Sequence, residues 1–115
     1  MSIEKKPKLK KGRVYRVVKL PVGLHEDLKT VAAREAKKIF HLYEEIINNF
    51  LIEASESDKK VNYLFHRGEI KDITISLTRE LSDAVKVVSK ADTVPETRIM
   101  FTAIMQFAEK NGLIN

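Results

Sequence analysis

The chain has no cysteine among its 115 residues. Disulfides and thiolate metal sites are therefore excluded, and the composition is compatible with a reducing cytoplasm. Only three histidines are present, His25, His41 and His66, and none is spaced like the His-x-x-x-His of a zinc site. The four glycines, Gly12, Gly23, Gly68 and Gly112, stand apart, so no Gly-rich loop cradles a phosphate. No apolar run approaches the length that crosses a bilayer. The lysines near the start are not followed by an apolar segment, so no secretory signal is expected. No nucleophile–base pair stands out. The expectation is a protein without catalysis, metal or cofactor. His25-Glu26-Asp27 opens a helical segment, where acids suit the positive end of the helix dipole; a capping role is expected there rather than metal ligation.

What is abundant is charge, unevenly placed. Residues 1–20 hold eight basic side chains against Glu4 alone, a local charge of +7. The remaining 95 residues hold thirteen basic and fifteen acidic side chains, or −2. A polyanion suits such a leading segment, and so does a solvated tail that only keeps the protein soluble. Residues 1–12 lack periodicity and read as a flexible basic arm.

Beyond the arm, one order of elements is spelled twice. Ile73, Thr74, Ile75, Ser76 and Leu77 alternate apolar and polar, which predicts a strand with one buried face. Thr78 is a helix N-cap, followed by Leu81, Val85 and Val88 at helical spacing. Thr93-Val94-Pro95-Glu96 reads as a Thr-x-x-Glu capping box that opens a second helix. Met100, Ala103, Ile104, Phe107 and Ala108 form that helix's apolar stripe, and Asn111-Gly112 ends it.

In the first half, 13–20 is β-rich and Pro21 stops it. Helices are expected over 22–37 and about 38–54, although the join at Lys37-Lys38-Ile39-Phe40-His41 lacks ordinary turn residues. Local signals also allow one helix over 22–57, but its length favours two. Leu20-Pro21 stands where Leu77-Thr78 stands later. Arg16 falls among the inward-facing positions with Val14, Val18 and Leu20, so a frayed strand start or a bulge is expected. Residues 55–69 connect the halves, with Ser55 to Lys60 polar, Val61, Tyr63, Leu64 and Phe65 partly packed on the core, and Arg67-Gly68-Glu69 turning. Neither half buries enough apolar surface to stand alone.

The repeated strand–helix–helix order resembles the ribbon–helix–helix family of Arc and MetJ type. Val17-Val18-Lys19-Leu20-Pro21 and Ile73-Thr74-Ile75-Ser76-Leu77-Thr78 stand at the heads of the two motifs. The resemblance covers nearly all of 13–112. It implies a mainly α fold with a two-stranded antiparallel β-ribbon, a tandem ribbon–helix–helix pseudo-dimer. The first motif is 13–54, the connector 55–69 and the second motif 70–115, around one shared core.

The resemblance also implies double-stranded DNA as partner, read by a ribbon in the major groove. Outward strand positions matching the family's base readers are Tyr15, Val17 and Lys19 on the first strand, and Asp72, Thr74 and Ser76 on the second. Asp72 departs from the basic residue often found there; it suits cytosine N4 or stays outside the contact. Phosphate contacts are expected from Lys8, Lys10, Lys11 and Arg13. The family's clamp at each second-helix N-terminus matches Lys38, Phe40 and His41 in the first repeat, and Thr93, Val94 and Glu96 in the second. Taken singly, Thr and Ser alternation reads equally as a solvated sheet face, and a capping box as no more than a helix start.

Two functions are compatible with these features. One is a cytoplasmic, DNA-associated, sequence-specific binding protein, either a transcriptional repressor or an accessory factor of conjugative plasmid transfer, with no membrane partner. It would be monomeric, with further association on DNA left open. The other is a helical protein-interaction module such as an antitoxin-like inhibitor. Leu113-Ile114-Asn115 follow the last helix directly, which weighs against a partner-wrapping tail of antitoxin type.

Overall fold

Six elements succeed one another in the computed structural model, which describes residues 12–65 and 68–114. They are β1 (Arg13–Pro21), α1 (Leu24–Arg34), α2 (Ile39–Glu56), β2 (Ile70–Thr78), α3 (Arg79–Asp92) and α4 (Glu96–Lys110). The fold is mainly helical with one two-stranded antiparallel sheet.

The halves match in position as well as order. Arg13 and Ile70, Pro21 and Thr78, and Ile39 and Glu96 begin or end equivalent elements, each pair 57 residues apart. The two non-glycine residues with positive φ, Ala36 and Thr93, differ by the same 57 and sit in the two helix–helix turns. Within the sheet, Val17 lies opposite Thr74, its own equivalent, so the pairing is centred on that pair. Backbone bonds close both ends of the ribbon alike. Val22 N–H donates to the Glu69 carbonyl at 3.2 Å, and Arg79 N–H donates to the Gly12 carbonyl.

Alternation along each strand puts one face in the core. Val18, Leu20, Ile73, Ile75 and Leu77 are buried, while Val14 is half-buried. Helix stripes cover them: Leu24, Leu28, Val31 and Ala32 from α1, Tyr43, Ile46, Ile47 and Phe50 from α2, and Leu81 and Val85 from α3. In α4 the run Ile99–Ile104 is buried all round, together with Ala108. The packing is crossed. Helix α2 lies against β2 of the other half, and α4 against β1. Neither half can therefore close its core without its partner, and truncating a buried leucine such as Leu20 or Leu77 to alanine costs about 2–5 kcal/mol.

Several local expectations give way. Helix α1 is shorter than 22–37, because Gly23 adopts a left-handed φ of 91° ahead of it and Ala36 one of 55° after it. The Thr93–Glu96 capping box does not form. Thr93 is the left-handed C-cap of α3, its N–H donating to the Ser89 carbonyl, and α4 begins without a side-chain cap. The Glu96 carboxylate instead accepts from Arg16, a charged partner stronger than a backbone N–H. Arg16 itself needs neither bulge nor fraying, for it pairs with Ile75 in regular register. His25 makes no side-chain cap; its Nδ1 faces the Tyr43 hydroxyl at 2.7 Å, with the rings stacked at 5.8 Å.

Other expectations stand. Thr78 caps α3, its hydroxyl accepting from Leu81 N–H at 3.1 Å. Glycine ends α4 at a φ of 71° at Gly112, and Leu113 N–H reaches back to the Ala108 carbonyl at 2.8 Å. In the connector, Val61, Tyr63 and Leu64 pack on the core, but Phe65 is exposed beneath Arg98, whose guanidinium lies 3.9 Å from the ring centroid. Leu64 N–H donates to the buried Thr102 hydroxyl at 2.9 Å, and the Tyr63 hydroxyl donates to Asp92. Arg67 lies outside the described residues.

Candidate nucleic-acid interface

The outer face of the ribbon is built by strand parity. Residues whose neighbours point into the core must themselves point away from it. Cross-strand pairs on this face are Tyr15 with Ser76, Val17 with Thr74 and Lys19 with Asp72. Tyr15 and Val17 are each about half exposed, which is high for a tyrosine and a valine in a regular strand. Lys19, Asp72 and Thr74 are exposed too, and Ser76 is half-buried. All six sequence-predicted outward residues therefore lie on one surface, uncovered by any of the four helices.

The pairs differ in chemistry along the ribbon. At one end Lys19 Nζ donates to Asp72 Oδ1 at 2.9 Å. At the centre Val17 offers methyls beside the Thr74 hydroxyl. At the other end Tyr15 and Ser76 present hydroxyls, and the Ser76 Oγ already accepts from Arg13 Nε at 2.7 Å. A face with donors, acceptors and methyls at fixed strand spacing can discriminate a surface of matching pattern.

The sequence-predicted phosphate contacts divide. Lys8, Lys10 and Lys11 lie outside the described residues. Arg13 is turned toward the protein: its guanidinium pairs with Glu44, donates to the Ser76 carbonyl at 3.0 Å and lies 4.6 Å from the Phe40 ring centroid. The two second-helix N-termini are unlike. At α2, Lys38 is the extended N-cap residue and exposed His41 is in the first turn, which has no acid. At α4, Glu96 occupies the first turn, and Thr93 and Val94 belong to the αL turn that ends α3. Unpartnered N–H groups at either terminus favour an anion, but only α2 lacks a carboxylate beside them.

No protein-family model, curated protein or solved structure matches this chain. Charge in the described fold is balanced. Six of the 21 basic side chains (Lys5, Lys6, Lys8, Lys10, Lys11 and Arg67) and one of the 16 acidic ones (Glu4) fall outside it, leaving fifteen of each. The positive excess thus belongs to residues 1–11 and Arg67, not to the ribbon. Among the described residues no group of three or more His, Cys, Asp or Glu could hold a metal ion, and no helix is long and apolar enough to cross a membrane.

Sequence reasoning missed four contacts that shape this region. Beneath the ribbon, Arg16 donates to the Ser82 hydroxyl at 2.8 Å and to Glu96 across 80 residues of chain. Its inward parity flagged the position, but nothing local named the partners. The Arg13–Glu44 pair and the His25–Tyr43 pair likewise join different elements. Burial lowers the His25 pKa, reinforced by Lys29, which favours the neutral ring beside the Tyr43 hydroxyl. Burial, with Glu26 nearby, pushes the Tyr43 pKa up and keeps that hydroxyl protonated.

Proposed function

We propose that this chain is a sequence-specific double-stranded DNA-binding protein, a tandem ribbon–helix–helix pseudo-dimer in one polypeptide that lays its ribbon in the major groove. The observation that carries the reading is the sheet. One strand from each half pairs about the Val17–Thr74 centre, the inner face lies on four helices, and among the described residues the outer face is left open with six side chains on it. A two-stranded ribbon of this kind matches the width of the B-DNA major groove, where each base pair shows a distinct set of donors, acceptors and methyls.

The roles follow from side-chain chemistry. Lys19 donates to guanine O6 or N7, Thr74 and Ser76 donate or accept, and Val17 meets a thymine methyl. Residues 1–11 supply phosphate attraction without sequence preference. Because the two strands are unequal, one molecule prefers an asymmetric site. Such a protein serves as a repressor that occupies a promoter, or as an accessory factor of conjugative DNA transfer that binds near an origin.

Binding of the full chain to duplexes selected from a random pool tests the reading, followed by footprinting of the selected site. An asymmetric footprint is expected, and Thr74→Ala should cut the preference for it by about 1–3 kcal/mol. Retention of a protein partner, with no duplex retained at low salt, would favour an interaction module instead.

A further inference from the structure

The ribbon's outer face carries one cross-strand ion pair, and it sits at one end. Lys19 and Asp72 are direct cross-strand partners, with Nζ and Oδ1 2.9 Å apart and side chains 50% and 65% exposed. The equivalent pair at the other end, Tyr15 with Ser76, is uncharged, and so is the central pair. Arg13, beyond Tyr15, is neutralised by Glu44. The face meant to enter a polyanion's groove is therefore electrically neutral among the described residues, and Asp72 is what makes it so.

A carboxylate in that place has a physical consequence. With its charges 2.9 Å apart, the Lys19–Asp72 pair presents a dipole and not a cation to an approaching phosphate, and salt screens it beyond about 10 Å. The pair is exposed, so it opens at small cost. Opening is favourable only where the surroundings restore a partner to both members at once. Phosphates satisfy Lys19 but repel Asp72. The major-groove edge of a G·C pair satisfies both, because guanine N7 and O6 accept while the neighbouring cytosine N4 donates. The arrangement of one donor beside one acceptor on the protein is the complement of that edge.

We propose that Lys19 and Asp72 form a clasp, closed in the free protein and on unrelated DNA, and opened by a G·C pair at one flank of the site. The clasp suppresses non-specific binding and gives the asymmetric site its direction. This rests on the ribbon entering the groove, as proposed above. Each member is a specificity-determining residue, Asp72 by exclusion and Lys19 by contact.

The test compares the whole chain with Asp72→Asn, which keeps the size, removes the charge and puts an amide donor in place of one acceptor oxygen. Two quantities are read: retention of random-sequence duplex across salt concentrations, and the sequences enriched from a randomised pool. Asp72→Asn should bind random duplex several-fold more tightly, with a salt slope steeper by about one, as expected for one more phosphate neutralised. It should also lose a G·C enrichment that the parent shows at one flank only, a preference of about five- to a hundredfold.

The swap Lys19→Asp with Asp72→Lys restores the pair with its direction reversed. It should return random-duplex binding to the parent level and turn the enriched pair to C·G. Thermal unfolding of both variants near the parent's temperature excludes misfolding as the cause. If Asp72→Asn and the parent enrich the same sequences and hold random duplex equally, the clasp is overturned while groove binding survives. If the parent retains no duplex at low salt, groove binding itself fails and takes the clasp with it.

Discussion

Arg16 carries the sharpest consequence at the scale of single residues. Its guanidinium holds Ser82 and Glu96 beneath the sheet, with the Arg16 and Glu96 side chains 17% and 27% exposed. The positions 57 residues away are Ile73 and Ile39, so where β2 meets α2 there are aliphatic side chains in place of the ion pair that stands where β1 meets α4. Removing one partner leaves a charge poorly solvated, whereas replacing both by apolar groups does not. Arg16→Ala or Glu96→Ala should each lower unfolding stability by about 1–3 kcal/mol. The double variant Arg16→Ile with Glu96→Ile, which copies the equivalent Ile73 and Ile39, should lie close to the parent by denaturant unfolding.

His25 makes a second, pH-dependent case. Its ring is faced by Tyr43, Glu26, Lys29 and Lys71, and burial with Lys29 and Lys71 outweighs Glu26 to depress its pKa in the folded state. The unfolded chain then takes up the proton more readily. Stability should be complete above the unfolded histidine value of about 6.5 and fall as pH drops below it. His25→Gln should remove that part of the acid loss in melts recorded between about pH 7.5 and pH 5, a window that brackets the unfolded value.

At the scale of elements, the two helix–helix turns are the informative places. Each contains a non-glycine residue in the left-handed region, Ala36 at φ 55° and Thr93 at φ 56°. For a β-branched residue that conformation is costly, and glycine adopts it freely. Thr93→Gly should raise stability by about 1 kcal/mol, seen as a higher urea midpoint at unchanged slope. The helices that leave these turns differ in charge. Because α2 starts with Lys38 and His41 and α4 with Glu96, Lys38→Ala with His41→Ala should weaken duplex binding measurably more than Thr93→Gly does.

For the whole molecule the decisive property is crossing. With α2 on β2 and α4 on β1, the halves share one core beneath the ribbon. Charge is divided along the same lines: the described fold is neutral, and residues 1–11 with Arg67 bring the excess. On the proposed DNA-binding reading, attraction and discrimination fall to different parts of one chain. Deleting residues 1–11 should weaken binding to all duplexes alike and flatten its salt dependence, while the preference among sequences persists. Anisotropy titrations of one selected and one random duplex at several salt concentrations would show it.

The periods of two and 3.6 in the sequence determined that strands and helices form, which faces they bury and that the order repeats. Those patterns are local, so Thr78 as a cap, the alternation over 73–77 and the glycine stop at Gly112 were all legible without coordinates. The ends of α1 and the fate of Thr93 were not, since a Thr-x-x-Glu string fits a capping box until a distant charge claims the glutamate. Arg16 showed only that its position was out of place. The partners of Arg13, Arg16 and His25 were decided by the tertiary structure, because crossing the halves brings together side chains that no window along the chain contains. The centring of the ribbon on Val17 and Thr74 was decided there too, since register depends on how two distant strands bury their faces against the same four helices.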